Sequence, residues 1–258
     1  MTEEQQNREE GRRLGQQLSE LREQIEATEG YRIHLKIRAL RRTYGVFEGN
    51  YRDLIEALDA FGRPEVFMEI WQERNRDQLD AFMNEVARLL HNFLAGAKTL
   101  VDHTRAFKNE MYKGRGFDKT YQEKMESDLS GSPVVNFVQD LRNYVLHKQL
   151  PISSATFSFT GGEGGTMTSL DSAIKLDVNK LRDWHGWTHK SPVYLEALDD
   201  KVKIKEVAEQ YEAAIGSFYQ WFGKQQSELH RVEFEELSDL DAQYRQVWQE
   251  WEQASEQG

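Results

Sequence analysis

Apolar residues recur at helical spacing along nearly the whole chain, and the period changes once, after Pro151. Leu14, Leu18, Leu21 and Ile25 stand four, three and four apart on an otherwise charged segment. That is a short amphipathic stripe, too brief for an isolated coiled coil, so it predicts packing on the body of the protein or on a partner. Tyr31, Ile33, Leu35 and Ile37 alternate with basic residues as a strand would, yet Ile33, Ile37, Leu40, Tyr44 and Phe47 also form a helical stripe. Helix is favoured because both neighbouring stretches are helical. Gly62-Arg63-Pro64 is a break, with Pro64 suited to a first helical turn. Phe67, Ile70, Trp71, Leu79, Phe82, Val86, Leu90, Phe93 and Val101 then predict one long helix or two, to about Met111. Gly114 and Gly116 end it, and a shorter helix follows near Lys119–Leu129.

Ser130-Gly131-Ser132-Pro133 signals a helix start, a serine at the cap and a proline at the first position, and that helix reaches Lys148 before Pro151 stops it. Ile152–Thr160 and Thr166–Val178, joined by the glycine-rich loop Gly161–Gly165, read as a β-hairpin. A connector rich in tryptophan and histidine, Trp184–His189, precedes a helix opened by Ser191-Pro192, and helical spacing continues through Ile204, Tyr211, Ile215 and Phe218 into an acidic tail. The expected fold class is mainly α: a helical bundle with a β-hairpin inserted at about 152–178. A helical extension over residues 1–62 would precede a helical domain over 63–258.

The absence of cysteine excludes disulfides, thiolate catalysis and sulfur-ligated metal. No apolar run approaches the ~20 residues that cross a bilayer, and Met1–Glu10 is polar, unlike a signal peptide. The expectation is a cytoplasmic protein without a membrane partner. A net charge of -11 argues against a surface that coats nucleic acid throughout. Charge is uneven, however: Tyr31–Phe47 holds Arg32, Lys36, Arg38, Arg41 and Arg42 without an acid, whereas Ser227–Gly258 is dominated by glutamate and aspartate. The basic run reads either as a solvated helix face or as a patch for a phosphate backbone.

The helix after Pro133 carries the pointed chemistry. Val134, Val138, Leu141 and Val145, with Phe137 beside them, form its apolar face. Asn136, Asp140, Asn143 and His147 follow the same spacing on another face, a polar stripe that a second copy of the chain would cover. Arg142 borders that stripe. Five positions rotate a helix by about 140° net, so Arg142 and His147 point differently; either the long arginine brings its guanidinium back near the imidazole, or the two serve different oxygens of a phosphate. His147 falls near the helix C-terminus, where the macrodipole favours positive charge. An arginine and a histidine suffice for RNA cleavage in which the 2′-hydroxyl attacks its own phosphate.

The run Arg142-Asn143-Tyr144-Val145-Leu146-His147, followed by KQLP, resembles the R-x(4–6)-H signature of the HEPN superfamily, including the polar residue after the arginine. Together with the upstream LLHNFLAGAKTLVDHTRAF, the stretch Asp80–Leu150 is similar to bacterial proteins grouped with HEPN-like folds. The resemblance implies a small helical bundle that dimerises. In active members two motifs meet across the dimer and cleave RNA without metal or cofactor, leaving 2′,3′-cyclic phosphate ends. It assigns the catalytic role to Arg142, Asn143 and His147; the polar stripe adds Asn136 and Asp140 as supporting positions, and the expected partners are RNA, a second copy and a regulatory protein. Relatives without activity serve as binding partners, so the alternative is a non-catalytic helical scaffold or protein-interaction module.

Other candidates are weaker. Arg182–His189 is a second formal match, interrupted by Gly186. His185 and His189 have the spacing of two metal ligands on one helical face, but no carboxylates complete a site, and packing among aromatic side chains is the expectation. His91 and His103 are expected as buried, satisfied histidines. The glycine loop at 161–165 is expected to be a hairpin tip and not a phosphate cradle.

Overall fold

The computed structural model describes residues 3–63, 66, 72, 76–161 and 167–256. In chain order the helices are α1 (Glu3–Ala27), α2 (Glu29–Phe61), α3 (Arg76–Tyr112), α4 (Gly116–Met125), α5 (Pro133–His147), α6 (Val178–Arg182), α7 (Ser191–Ala197), α8 (Ile204–Leu229) and α9 (Arg231–Glu256). The strands are β1 (Ile152–Gly161), β2 (Met167–Asp177) and β3 (Lys201–Lys203). Two compact units result: Met1–Ala39 with Trp221–Gly258, and Leu40–Gln220. No helix among the described residues is long and apolar enough to cross a membrane.

In the first unit, α1 packs along α9. Leu14, Leu18 and Leu21 are buried with Val247, and Leu240, Tyr244 and Trp251 close around them. The leucine stripe that needed a surface thus finds one on its own chain. Thr28 separates α1 from α2: its hydroxyl donates to Ile25 O (2.8 Å) and accepts from Tyr31 N (3.1 Å), so one side chain satisfies a helix end and a helix start. The next turn runs so close to α9 that a Cβ on Gly30 would lie 2.1 Å from the carbonyl oxygen of Glu233. The Tyr31–Phe47 stretch is helical, and Arg38, Arg41 and Arg42 on it are exposed.

The second unit is centred on aromatic side chains. Phe47 of α2, Phe93 of α3 and Tyr211 of α8 form a buried triangle whose ring centroids are each 5.8 Å apart, at tilted or edge-to-face angles. Gly96 lets α2 and α3 approach, since a Cβ there would sit 3.4 Å from Phe47 Cα. From Arg76 onward the expected long helix is one uninterrupted helix of 37 residues. The expectations placed on Pro64, Phe67, Ile70 and Trp71 lie outside the described residues. Gly114, at φ 73°, turns the chain after α3, and α4 ends in a π-helical turn, Glu126–Ser130.

The hairpin forms where the period changes. β1 and β2 pair antiparallel, with Ala155 opposite Ile174 and Phe159 opposite Leu170. Ile174, Leu176 and Val178 are buried while Ala173, Lys175 and Asp177 are half-buried, the alternation of a strand with one covered face. The expected two-stranded element is a three-stranded sheet, because β3 adds to β2 with Leu176 opposite Val202. Residues 162–166, which hold most of the expected glycine tip, lie outside the described residues.

The approach at Gly30 makes a test with an inverted sign. Helix propensity alone would have Gly30→Ala stabilise by about 1 kcal/mol. The clash with a backbone carbonyl instead predicts destabilisation by about 1–3 kcal/mol, read as a lower urea midpoint.

Candidate functional site

Helix α5 starts at Pro133 after Ser132, whose extended backbone (φ -83°, ψ 119°) marks the cap, although its hydroxyl makes no capping bond. Asn136 ties this end down, donating from Nδ2 to Ser130 O (2.8 Å) and Ser132 O (2.7 Å). The buried face comprises Val135, Phe137, Val138, Asp140, Leu141 and Tyr144, while Val134 and Val145 are only half-buried. The apolar stripe is therefore rotated from its expected centre, and it takes in a carboxylate.

Asp140 is 6 % exposed. It accepts from Thr188 N (2.7 Å), from the Thr188 hydroxyl (3.0 and 3.1 Å) and from the Ser191 hydroxyl (2.7 Å). Among the described residues no cation pairs with it, the neighbouring Arg142 included. Neutral donors fixed by the backbone hold the charge instead, each worth about 1.5–3 kcal/mol as a bond to an ionised group. Ser191 is itself fully buried and opens α7.

This carboxylate closes a turn. Ser191 N donates to Thr188 O (3.0 Å), and between them His189 sits at φ 49°. Positive φ is unusual for a side chain with a Cβ and costs on the order of 1–3 kcal/mol, so the surroundings must impose it. They do so on both sides. Asp140 holds the turn, and Trp187 stacks on Phe137 (5.3 Å, 22°) and Tyr144 (6.1 Å, 9°) while its indole N–H donates to Leu181 O (2.7 Å). Gly186 is required there, since a Cβ would fall 2.2 Å from the Trp184 ring. The tryptophans pack as expected for this connector, but His185 and His189 are exposed. Arg182, the other end of the second formal motif, is engaged by the carbonyls of Leu195 (2.9 Å) and Leu198.

The polar stripe of α5 is accordingly not a uniform exposed face. Asp140 is buried, Asn136 and Asn143 are half-buried, and His147 alone is exposed. The half-buried Arg142 donates from Nη1 to Asn143 Oδ1 (3.3 Å). Among the described residues no hydrogen bond or ion pair engages the His147 imidazole. Leu146 and Leu150 flank it, 46 % and 39 % exposed. His91 and His103 are exposed and not buried as expected; His103 Nδ1 meets the Thr43 hydroxyl at 2.9 Å. No group of three or more histidines and carboxylates is gathered as metal ligands among the described residues.

On its other side Asn136 borders a cavity of about 300 Å³, shared with Thr104, Lys108, Gln139, His189 and Tyr219. Nothing in the sequence pattern pointed to this cavity, because its walls come from five separate segments. Lys108 forms an ion pair with Asp118 and lies 5.7 Å from the Tyr121 ring centroid. Its hydrogen bond, reinforced by Gly114 N (2.9 Å), holds the Asp118 carboxyl below the usual carboxylate range. Burial pushes the Tyr121 hydroxyl up to about 12. Gln139 Nε2 donates to Tyr211 Oη (2.7 Å), linking the cavity wall to the aromatic triangle.

No protein-family model, curated protein or solved structure matches this chain.

Two outcomes follow from these contacts. Asp140→Ala strands the fully buried Ser191 hydroxyl, at about 1–3 kcal/mol, and releases the Thr188 amide as well, and so should lower the unfolding free energy more than Ser191→Ala does. A carboxyl held below its unfolded value contributes stability at neutral pH that is lost as pH falls through the depressed folded value. Asp118→Asn should therefore remove part of the acid-side loss of stability, seen as a flatter plot of urea midpoint against pH.

Proposed function

We propose that this chain is a HEPN-like RNA-binding protein that cleaves RNA as a dimer, without metal, through Arg142, Asn143 and His147. One observation carries the reading. On a single helix the fold engages Asn136 and Asp140 in its own construction, while the Arg142–Asn143 pair and an unengaged, exposed His147 remain at the C-terminal end. Chemistry on an outside substrate needs side chains that the fold has not consumed.

The reaction needs little more. The 2′-oxygen forms a bond to the adjacent phosphorus, the bond from phosphorus to the 5′-oxygen of the next nucleotide breaks, and the proton lost by the 2′-hydroxyl is replaced on the departing 5′-oxygen. His147 of one copy accepts the first proton and His147 of the other supplies the second. The Arg142 guanidinium, steadied by Asn143, stabilises the charge gathering on the phosphoryl oxygens. Leu146 and Leu150, apolar and exposed beside His147, favour a second copy covering this end of the helix. The same patch favours the second reading, a non-catalytic scaffold whose motif helix serves only an interface.

Incubated with mixed cellular RNA in EDTA, the wild type should release 2′,3′-cyclic phosphate ends and leave DNA intact. His147→Ala and Arg142→Ala should each slow cleavage by about 10²–10⁴-fold with an unchanged circular dichroism spectrum. Equal rates for wild type and His147→Ala, or a need for a divalent ion, overturn the catalytic reading. Absence of any cleavage, with a dimer that Leu146→Lys dissociates, establishes the scaffold instead.

A further inference from the structure

We propose that the cavity beside Asn136 is a binding site for a small planar aromatic molecule carrying one anionic group. The inference is independent of the RNA reading, since it uses neither Arg142 nor His147. Its apolar wall is aromatic: Tyr121 and Phe218 meet edge to face (5.7 Å, 79°), and Tyr219 stands next to Phe218 at 5.6 Å. An apolar lining rich in aromatic residues suits a flat, apolar ligand, and about 300 Å³ is the lower end of the volume of small-molecule sites.

Charge selects what the ring carries. The chain has 44 acidic residues against 33 lysines and arginines, yet the cavity is lined by Arg105, Lys108 and His189 and by no aspartate or glutamate. Lys108 is balanced by Asp118, so the surplus positive charge is that of Arg105, with His189 as a further donor. Arg105 reaches Asp102 only at 3.9 Å and is 68 % exposed, which leaves its guanidinium available at the rim. His189 offers an imidazole N–H in either protonation state. Among the described residues no hydrogen bond or ion pair occupies that ring.

His189 lines the cavity from a fixed position. Its positive φ is imposed by a turn anchored on the buried Asp140 and on the stacked Trp187, which sets where the imidazole stands. A glycine would meet the backbone requirement more easily, which sets the backbone demand apart from what the imidazole does.

The test uses 2-naphthoate, neutral 2-naphthamide and inorganic phosphate as probes of the full chain, by calorimetry and by chemical-shift changes at the side-chain amides of Asn136 and Gln139. One equivalent of 2-naphthoate should bind and shift those amides, while the naphthamide and phosphate bind at least about tenfold more weakly. His189→Gly, which suits the turn, should melt at or above the wild-type temperature yet weaken 2-naphthoate severalfold. Arg105→Gln, at an exposed position, should weaken it similarly. Absence of saturable binding, equal affinity for the neutral amide, wild-type affinity in both variants, or shifts confined to other residues would each overturn the proposal.

Discussion

The arrangement around α5 depends on one buried carboxylate that no cation among the described residues pairs with. A buried carboxylate needs donors in place of the water it has lost, and Asp140 obtains them from a backbone amide and two hydroxyls within four residues of chain. The requirement runs in both directions. The turn supplies the donors for the carboxylate on the buried face of the helix, and among the described residues the Thr188 amide and the enclosed Ser191 hydroxyl have no other acceptor. Trp187, one residue earlier, is thereby pressed against Phe137 and Tyr144, and His189, one residue later, is forced into its left-handed backbone.

That constraint divides a stripe of similar residues into different roles. Asn136 fixes the start of the helix, Asp140 fixes a distant turn, and Asn143 steadies Arg142. His147 is left in solvent between two exposed leucines. A polar face on a helix is often taken as one functional surface, but here its positions differ in burial from the middle of the fold to fully accessible. The functional reading accordingly rests on the last helical turn and on Arg142 beside it.

Much of the fold was legible because the hydrophobic period is a direct record of which face is covered. The longer helices, the start at Pro133, the stop before Pro151 and the strands either side of the glycine loop could be read in this way, whereas the short helix α6, which begins at the Val178 expected in a strand, could not. β3 could not, since Lys201-Val202-Lys203 offers one apolar residue and acquires its meaning only from Leu176 across the ladder. The role of Asp140 was hidden for a related reason: its donors lie 48 and 51 residues away, and periodicity carries no information about partners at such separations. The exposure of His91 and His103 was likewise missed, because both fall on a long helix rich in apolar residues and the flanking Asn92 and Asp102 fit a polar interior site as well as a solvated face. The cavity is a property of packing among α3, α4, α5, α8 and the turn, and its acid-free lining emerges only once those segments are brought together.

Amide hydrogen exchange at Thr188 tests this most directly. Thr188 has an exposed position and lies in no helix or strand, so an ordinary loop amide there would exchange at close to the unprotected rate. If the Asp140 carboxylate holds it, the amide is protected by orders of magnitude in the wild type and loses that protection in Asp140→Ala, while the amides of Phe93 and Tyr211 in the aromatic core remain protected. An unprotected Thr188 amide in the wild type would contradict the account at its centre.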